Sequence, residues 1–97
     1  MSASVSTHVL DTGRGHPAGG VRVELYRNAE LVAGGTTDAD GRIGRLADGL
    51  DAGAYRIVFH PPSPFFTRVD LEVALEHGHY HVPLLVSPYA CASYRGS

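Results

Sequence analysis

Alternation of inward and outward residues with a period of two is the feature that most constrains the fold of this chain. In segment 4–10, Val5, Thr7 and Val9 lie on one side of an extended strand, and the residues between them lie on the other. The pattern favours half-buried strands. Further strands are predicted at 21–26, 30–37, 42–46, 52–59, 68–75, 79–86 and 89–95.

These seven or eight short strands are separated by turn residues about every ten positions, as in an antiparallel β-sandwich. The 97 residues are enough for one core, so we expect a single domain over 1–97. Segment 61–75 leaves room for at most one short helix, because the prolines of "HPPSP" at 60–64 forbid a helix at its start. The predicted fold class is all-β.

Composition excludes several classes of function. A net charge of −2 argues against a nucleic-acid partner, which needs a basic face, and no segment is apolar enough to span a membrane. The only cysteine, Cys91, cannot form an internal disulfide, and "MSASVSTHVL" lacks the basic and apolar regions of a signal peptide. We therefore expect a cytoplasmic protein whose partner is a small molecule or another protein.

The same alternation places polar side chains on outer faces. If Val5, Thr7 and Val9 pack inward, His8 points away from the core, and the strand at 79–86 turns His81 outward in the same way. His79 has the same parity as His81. In the last strand, Ala90, Ala92 and Tyr94 share one face, and the two alanines leave room for a ligand or a second subunit.

Simpler interpretations remain open for several of these residues. Considered without the other histidines, His8 is typical of a polar residue on a solvated strand face. His77, His79 and His81 alternate along one face and could bind a metal, although no carboxylate or thiolate completes the set. Cys91 has no local activating group and is expected to be an inert buried thiol. No Gly-x-Ser-x-Gly, Walker, Rossmann or His-Glu-x-x-His motif is present, so an enzyme of this sequence would use water as nucleophile and histidine as base.

Four stretches together resemble the 5-hydroxyisourate hydrolases, the transthyretin-related enzymes of urate degradation: "STHVLDT" at 6–12, "TDADGR" at 37–42, "HYHVPLLVSPY" at 79–89 and "YRGS" at 94–97. The middle of the chain also resembles non-catalytic prealbumin-like domains. The resemblance implies a transthyretin-like sandwich that assembles as a homotetramer, a dimer of dimers with its sites between dimers. It also implies conversion of 5-hydroxyisourate to 2-oxo-4-hydroxy-4-carboxy-5-ureidoimidazoline without a metal or other cofactor.

The resemblance also assigns roles to particular residues. It implies that the catalytic residues are His8, Arg42 and His81, and that the substrate-binding residues are Tyr94, Arg95, Gly96 and Ser97. Two arginines beside two histidines would lower the pKa of each histidine by like-charge repulsion. The chain departs from the family at Cys91, where an aromatic residue is common, and in a short 61–78 region. The alternatives are a transthyretin-like protein that binds a planar ligand without converting it and a monomeric structural module.

Overall fold

The computed structural model describes residues 2–96, which form ten β-strands and no helix. Two strands are present beyond those predicted, because His16–Pro17 forms a two-residue strand and segment 79–86 is divided into two strands. The strands are β1 Ala3–Asp11, β2 His16–Pro17, β3 Arg22–Arg27, β4 Glu30–Thr36, β5 Arg42–Leu50, β6 Gly53–Phe59, β7 Val69–Leu75, β8 Gly78–His81, β9 Leu84–Ser87 and β10 Ala90–Ser93. Consequently none of the described residues forms a helix that could cross a membrane.

Two sheets pack face to face. In the first sheet β1 is central: β5 and β2 pair with one of its edges, β8 and β9 pair with the other, and β10 lies outside β9. The second sheet has the order β4-β3-β6-β7 and is antiparallel throughout. The first sheet differs from the antiparallel prediction, because β8 and β9 run parallel to β1. Parallel neighbours need a long connection, and here most of the chain lies between them.

The core lies between the sheets and is built by the inward residues of the predicted alternation. Its fully buried apolar side chains, each below 2% exposed, include Val5, Val9, Val23, Leu25, Ile57, Phe59, Leu84 and Val86. Burial of each such side chain contributes about 1.5–3 kcal/mol. Val69, Leu71 and Val73 of β7 pack against this cluster, which confirms their predicted inward face.

Pro83 divides the segment predicted as one strand into β8 and β9. It has no amide N–H with which to continue a ladder. The chain stays attached to β1 nevertheless, because the Val82 amide donates to the Ser6 carbonyl at 2.9 Å and Thr7 Oγ1 donates to the Val82 carbonyl at 2.6 Å. His81 therefore keeps a fixed position at the end of β8.

β5 continues beyond the predicted end at Leu46. Its pairing with β1 shifts register twice, between Ala3 and Val5 and between Val5 and Thr7. The first shift places one extra residue of β5 in the ladder and the second places two, and such irregularities disrupt the regular alternation of faces. For this reason the period-two pattern does not show the second half of the strand.

The connection from β6 to β7 is irregular where a short helix was allowed. Ser63 Oγ accepts the amides of Phe65 and Phe66 at 3.1 and 2.9 Å and donates to the Pro88 carbonyl at 3.2 Å. Three prolines, at 61, 62 and 64, remove the amides that a helix would use. A serine-centred turn therefore replaces the helix.

Candidate active site on the outer face of the first sheet

Strand pairing brings His8, Arg42 and His81 to one face. His8 lies opposite Arg42 on β5, and Ser6 lies opposite His81 on β8. Directly paired residues point to the same side of a sheet, and Ser6 and His8 share parity on β1. The three predicted catalytic residues thus share the outer face, which we define as the face of the first sheet turned away from the second sheet.

A tight turn positions Arg42. Asp38 Oδ1 accepts the amides of Asp40 and Arg42, both at 2.9 Å, and the Gly41 amide donates to the Asp38 carbonyl at 2.9 Å. Gly41 has φ of 76°, and a Cβ there would collide with the Val9 carbonyl oxygen. Only glycine fits such a position without strain. The Asp-Gly chemistry of "TDADGR" therefore fixes where β5 begins.

The turn also orients His8. Its Nε2 donates to the Asp40 carbonyl at 2.9 Å, and a carbonyl oxygen can only accept. In neutral His8 the proton therefore sits on Nε2 and the lone pair on Nδ1. The ring is half-buried, so it is accessible from the outer face.

Three contacts hold His81. Its Nδ1 is hydrogen-bonded to Ser6 Oγ at 2.8 Å, and its carbonyl accepts the Gly96 amide at 2.7 Å in an isolated antiparallel bridge. A Cβ at Gly96 would lie 2.6 Å from His81 Cδ2, so the C-terminal backbone packs directly on the imidazole. Partial burial lowers the pKa of His81, and the positive charges of His8, Arg42 and His79 lower it further. His81 is accordingly neutral near pH 7.

The structure separates Arg95 from this cluster. The register Ser93↔Leu84 continues to the bridge Gly96↔His81, so Arg95 falls on the inner side of the sheet. Its guanidinium carbon lies 4.2 Å from the centroid of the Tyr80 ring. Two arginines beside the histidines were predicted, but only Arg42 is found there, because a one-residue step along a strand reverses the direction of the side chain.

The other predicted C-terminal residues have distinct positions. Tyr94 is 58% exposed, and with Arg95 and Tyr80 it lines a groove beside Leu71 and Val73 of β7. Gly96 contacts His81 as described above. The prediction for Ser97 lies outside the described residues.

The metal alternative has no geometric support in residues 2–96, where no three His, Cys, Asp or Glu side chains are gathered as metal ligands. His77 precedes β8 and is exposed, and both ring nitrogens of His79 are hydrogen-bonded to serines. Cys91 is half-buried rather than fully buried, and burial raises the pKa of its thiol. The prediction of an unreactive thiol agrees with this shift.

Sequence reasoning missed the serines of this face. Ser4 and Ser6 alternate on β1 and pair with His79 and His81. The signal was present as two short periodic patterns, Ser-x-Ser at 4–6 and His-x-His at 79–81. Neither pattern reveals the other, because their meeting depends on the parallel register of β1 and β8.

The fold and the site together define a two-sheet β-sandwich with two histidines and an arginine on the outer face of one sheet. The chain belongs to the HIUase/Transthyretin family, whose model matches residues 5–96. This confirms the resemblance seen in the sequence.

Individual relatives and solved structures agree with this membership. The chain is 39% identical to "5-hydroxyisourate hydrolase 2" of Rhizobium meliloti, with 99% of this chain and 98% of the relative covered. It superposes on Klebsiella pneumoniae 5-hydroxyisourate hydrolase with a TM-score of 0.89 at 35% identity, with 98% and 99% of the two chains covered. The chain also superposes on transthyretin from Sparus aurata with a TM-score of 0.85 at 27% identity, with 95% of each chain covered. The transthyretin-like sandwich is thus confirmed.

The comparison also shows a difference in length between the two aligned chains. The alignment with the Rhizobium relative runs over 117 residues, whereas this chain has 97. The alignment therefore contains gaps on the side of this chain.

Proposed function

We propose that this chain hydrolyses 5-hydroxyisourate to 2-oxo-4-hydroxy-4-carboxy-5-ureidoimidazoline in urate degradation. The observation that carries the proposal is the gathering of His8, Arg42 and His81 on one accessible face. Full-length relatives that bear the name 5-hydroxyisourate hydrolase support the choice of substrate.

In the proposed reaction, water attacks the C6 carbonyl of the substrate. A bond forms between the water oxygen and C6, the bond between C6 and N1 breaks, and N1 ends with a proton. Removal of the water proton needs a neutral imidazole, and the lowered pKa of His81 keeps that ring neutral near pH 7. A positioned general base contributes about 10²–10⁴-fold in rate. His8, with its Nδ1 lone pair free, is the second base-competent ring of the site.

Arg42 has the chemistry to stabilise the negative charge that develops on the C6 oxygen. A guanidinium stays charged throughout and offers several donors in one plane. The Asp38 turn fixes the backbone of Arg42, so its side chain projects from a defined position at the start of β5. No metal or other cofactor takes part in this scheme.

We assign substrate binding to the C-terminal tetrapeptide and propose that the site is completed by assembly. Tyr94 is exposed in the single chain, as are Ala90 and Ala92 of β10. A homotetramer, a dimer of dimers, would cover the part of the outer face near β10 and enclose His8 and His81 between subunits. Analytical ultracentrifugation tests the assembly, which we place in the cytoplasm, and a monomer at micromolar concentration would contradict it.

The activity is tested by generating 5-hydroxyisourate with urate oxidase and following its ultraviolet decay. Because the substrate also decays spontaneously, the readouts are acceleration and formation of a single product enantiomer. We expect acceleration by the wild type and its loss in His8→Ala and Arg42→Ala. The matched controls are His16→Ala and Arg45→Ala, whose side chains are exposed and lie outside the cluster. Unaltered decay with the wild type would end the proposal.

The similarity to Sparus aurata transthyretin favours a second candidate, a protein that binds a planar ligand without converting it. Calorimetry with urate, a stable planar analogue, together with the decay assay separates the two. Urate binding without any acceleration would select the binding protein.

A further inference from the structure

Four side chains on the outer face form a continuous hydrogen-bonded chain. Ser4 Oγ lies 2.7 Å from His79 Nδ1, His79 Nε2 lies 2.8 Å from Ser6 Oγ, and Ser6 Oγ lies 2.8 Å from His81 Nδ1. The parallel pairing of β1 with β8 produces it, since Ser4 lies opposite His79 and Ser6 lies opposite His81.

We propose that Ser6, His79 and Ser4 are positioning residues that carry a proton between His81 and solvent. The proposal rests on the proposed function, in which His81 takes a proton from water. One end of the path is His81 in the site. At the other end His79 is exposed and Ser4 is half-buried, whereas Ser6 in the middle is only 7% exposed.

The number of protons available for donation allows this hydrogen-bonded chain only two directions. A serine hydroxyl has one proton to donate, and Ser6 Oγ has two ring nitrogens as partners. If Ser6 donates to His79 Nε2, then His81 Nδ1–H must donate to Ser6, and the lone pair of His81 lies on Nε2. If the chain runs the other way, Ser6 donates to His81 Nδ1, and Nε2 of His81 carries the proton. The direction of the hydrogen bonds therefore decides whether His81 Nε2 acts as base or as acid.

Proton transfer along the chain balances without any other reactant. When His81 Nε2 takes the water proton, Nδ1–H passes its proton to Ser6 Oγ. The Ser6 hydroxyl proton moves to His79 Nε2, and the proton on His79 Nδ1 moves through Ser4 to solvent. His81 is left neutral with the proton on Nε2, which is the form that can protonate the leaving N1. A proton returned from solvent then resets the chain.

The charges around His81 give a reason for such a path. His8 faces it from β1, Arg42 from β5 and His79 from β8, whereas Arg95 is turned away onto Tyr80. With Arg42 permanently positive, a second charge held on His81 is unfavourable. A route that removes this charge through hydrogen bonds already made avoids separating the ring from its partners.

The hydrogen-bond chain itself is tested by NMR of the ring nitrogens, without reference to activity. In Ser6→Ala we expect the tautomers of both His79 and His81 to change, because both lose the same partner. His77→Ala is the matched control, since His77 adjoins β8 but lies outside the chain, and it should leave both tautomers as in the wild type. Ring signals in Ser6→Ala identical to the wild type would overturn the proposal.

Proton transfer is tested by kinetics of His79→Ala. We expect kcat of His79→Ala to fall about 10–100-fold, the size of effect seen when hydrogen-bonded partners of metal-ligating histidines are removed. KM should not change, and His77→Ala should keep the wild-type kcat. Added imidazole buffer should restore most of the loss, whereas a purely structural defect would not respond to it. Wild-type kcat in His79→Ala, or a loss that imidazole does not repair, would refute the path. If the wild type shows no activity, the proposed function fails, and the NMR experiment alone decides the hydrogen-bond chain.

Discussion

Substitution of Gly96 by alanine should inactivate the protein without unfolding it. The new Cβ would lie 2.6 Å from His81 Cδ2 and 3.2 Å from both Cβ and Cγ, whereas ordinary contact begins at 3.4 Å. The carbonyl of His81 holds the Gly96 amide at 2.7 Å, so the backbone resists separation. The imidazole is therefore the part that yields, and its rotation breaks the bond to Ser6.

The geometry also sets the size of the effect. Relief of the contact needs a displacement of roughly 1 Å, and a misplacement of that size can reduce a rate by about 10²-fold. This corresponds to about 2.7 kcal/mol in the activation free energy. The melting temperature should stay near that of the wild type, because Gly96 lies outside the core.

The assay is the decay of enzymatically generated 5-hydroxyisourate, with circular dichroism as the test of folding. Gly44→Ala is the matched control: a Cβ at this exposed position of β5 meets no atom within 4 Å, and we expect full activity. Wild-type rates in Gly96→Ala would refute the reasoning, because they would show that the position of the His81 ring does not limit the reaction.

Three further predictions concern pH, the C-terminus and the core. Because the pKa of His81 is lowered, activity should persist below the ordinary histidine pKa of about 6.5 and fall only as the ring charges; a rate unchanged from pH 5 to 8 would contradict this. Arg42→Gln removes one cause of the shift, so an NMR titration should show His81 protonating at higher pH than in the wild type. Deletion of 94–97, or a C-terminal tag, should abolish activity but leave the circular dichroism melt nearly unchanged, whereas an N-terminal tag should be tolerated; normal activity would mean that the tetrapeptide plays no part in the site. Thr37→Val should cost about 1–3 kcal/mol in unfolding free energy, because the buried Thr37 hydroxyl accepts the Val21 amide at 2.9 Å; denaturant titration measures the loss, and kcat should not change.

The inward faces could be predicted from sequence because they depend on local geometry alone. Val5 and Val9 pack inward, and the outward positions of His8 and His81 follow from the same rule. Period two needs no knowledge of partners. The period-two pattern therefore predicts the sandwich and the face on which the catalytic candidates lie.

The remaining features depend on pairings between distant residues. The break at Pro83 and the two register shifts of β5 interrupt the period, and the position of Arg95 over Tyr80 follows only when the register of β10 is known. The bond between Ser6 and His81 joins residues 75 positions apart. Local patterns contain no information about which strand lies beside which.

The central position of β1 affects how the protein folds during its synthesis. One edge of this strand is paired only after β8 and β9 have been synthesised, and Ser6 precedes His81 by 75 positions. At synthesis rates of about 5–20 residues per second, Ser6 waits on the order of ten seconds for His81. During that time one edge of β1 is unpaired, and this strand, with its apolar inward side chains, is accessible to other chains. We therefore expect the outer face around Ser6 and His81 to form only after β8 has been synthesised.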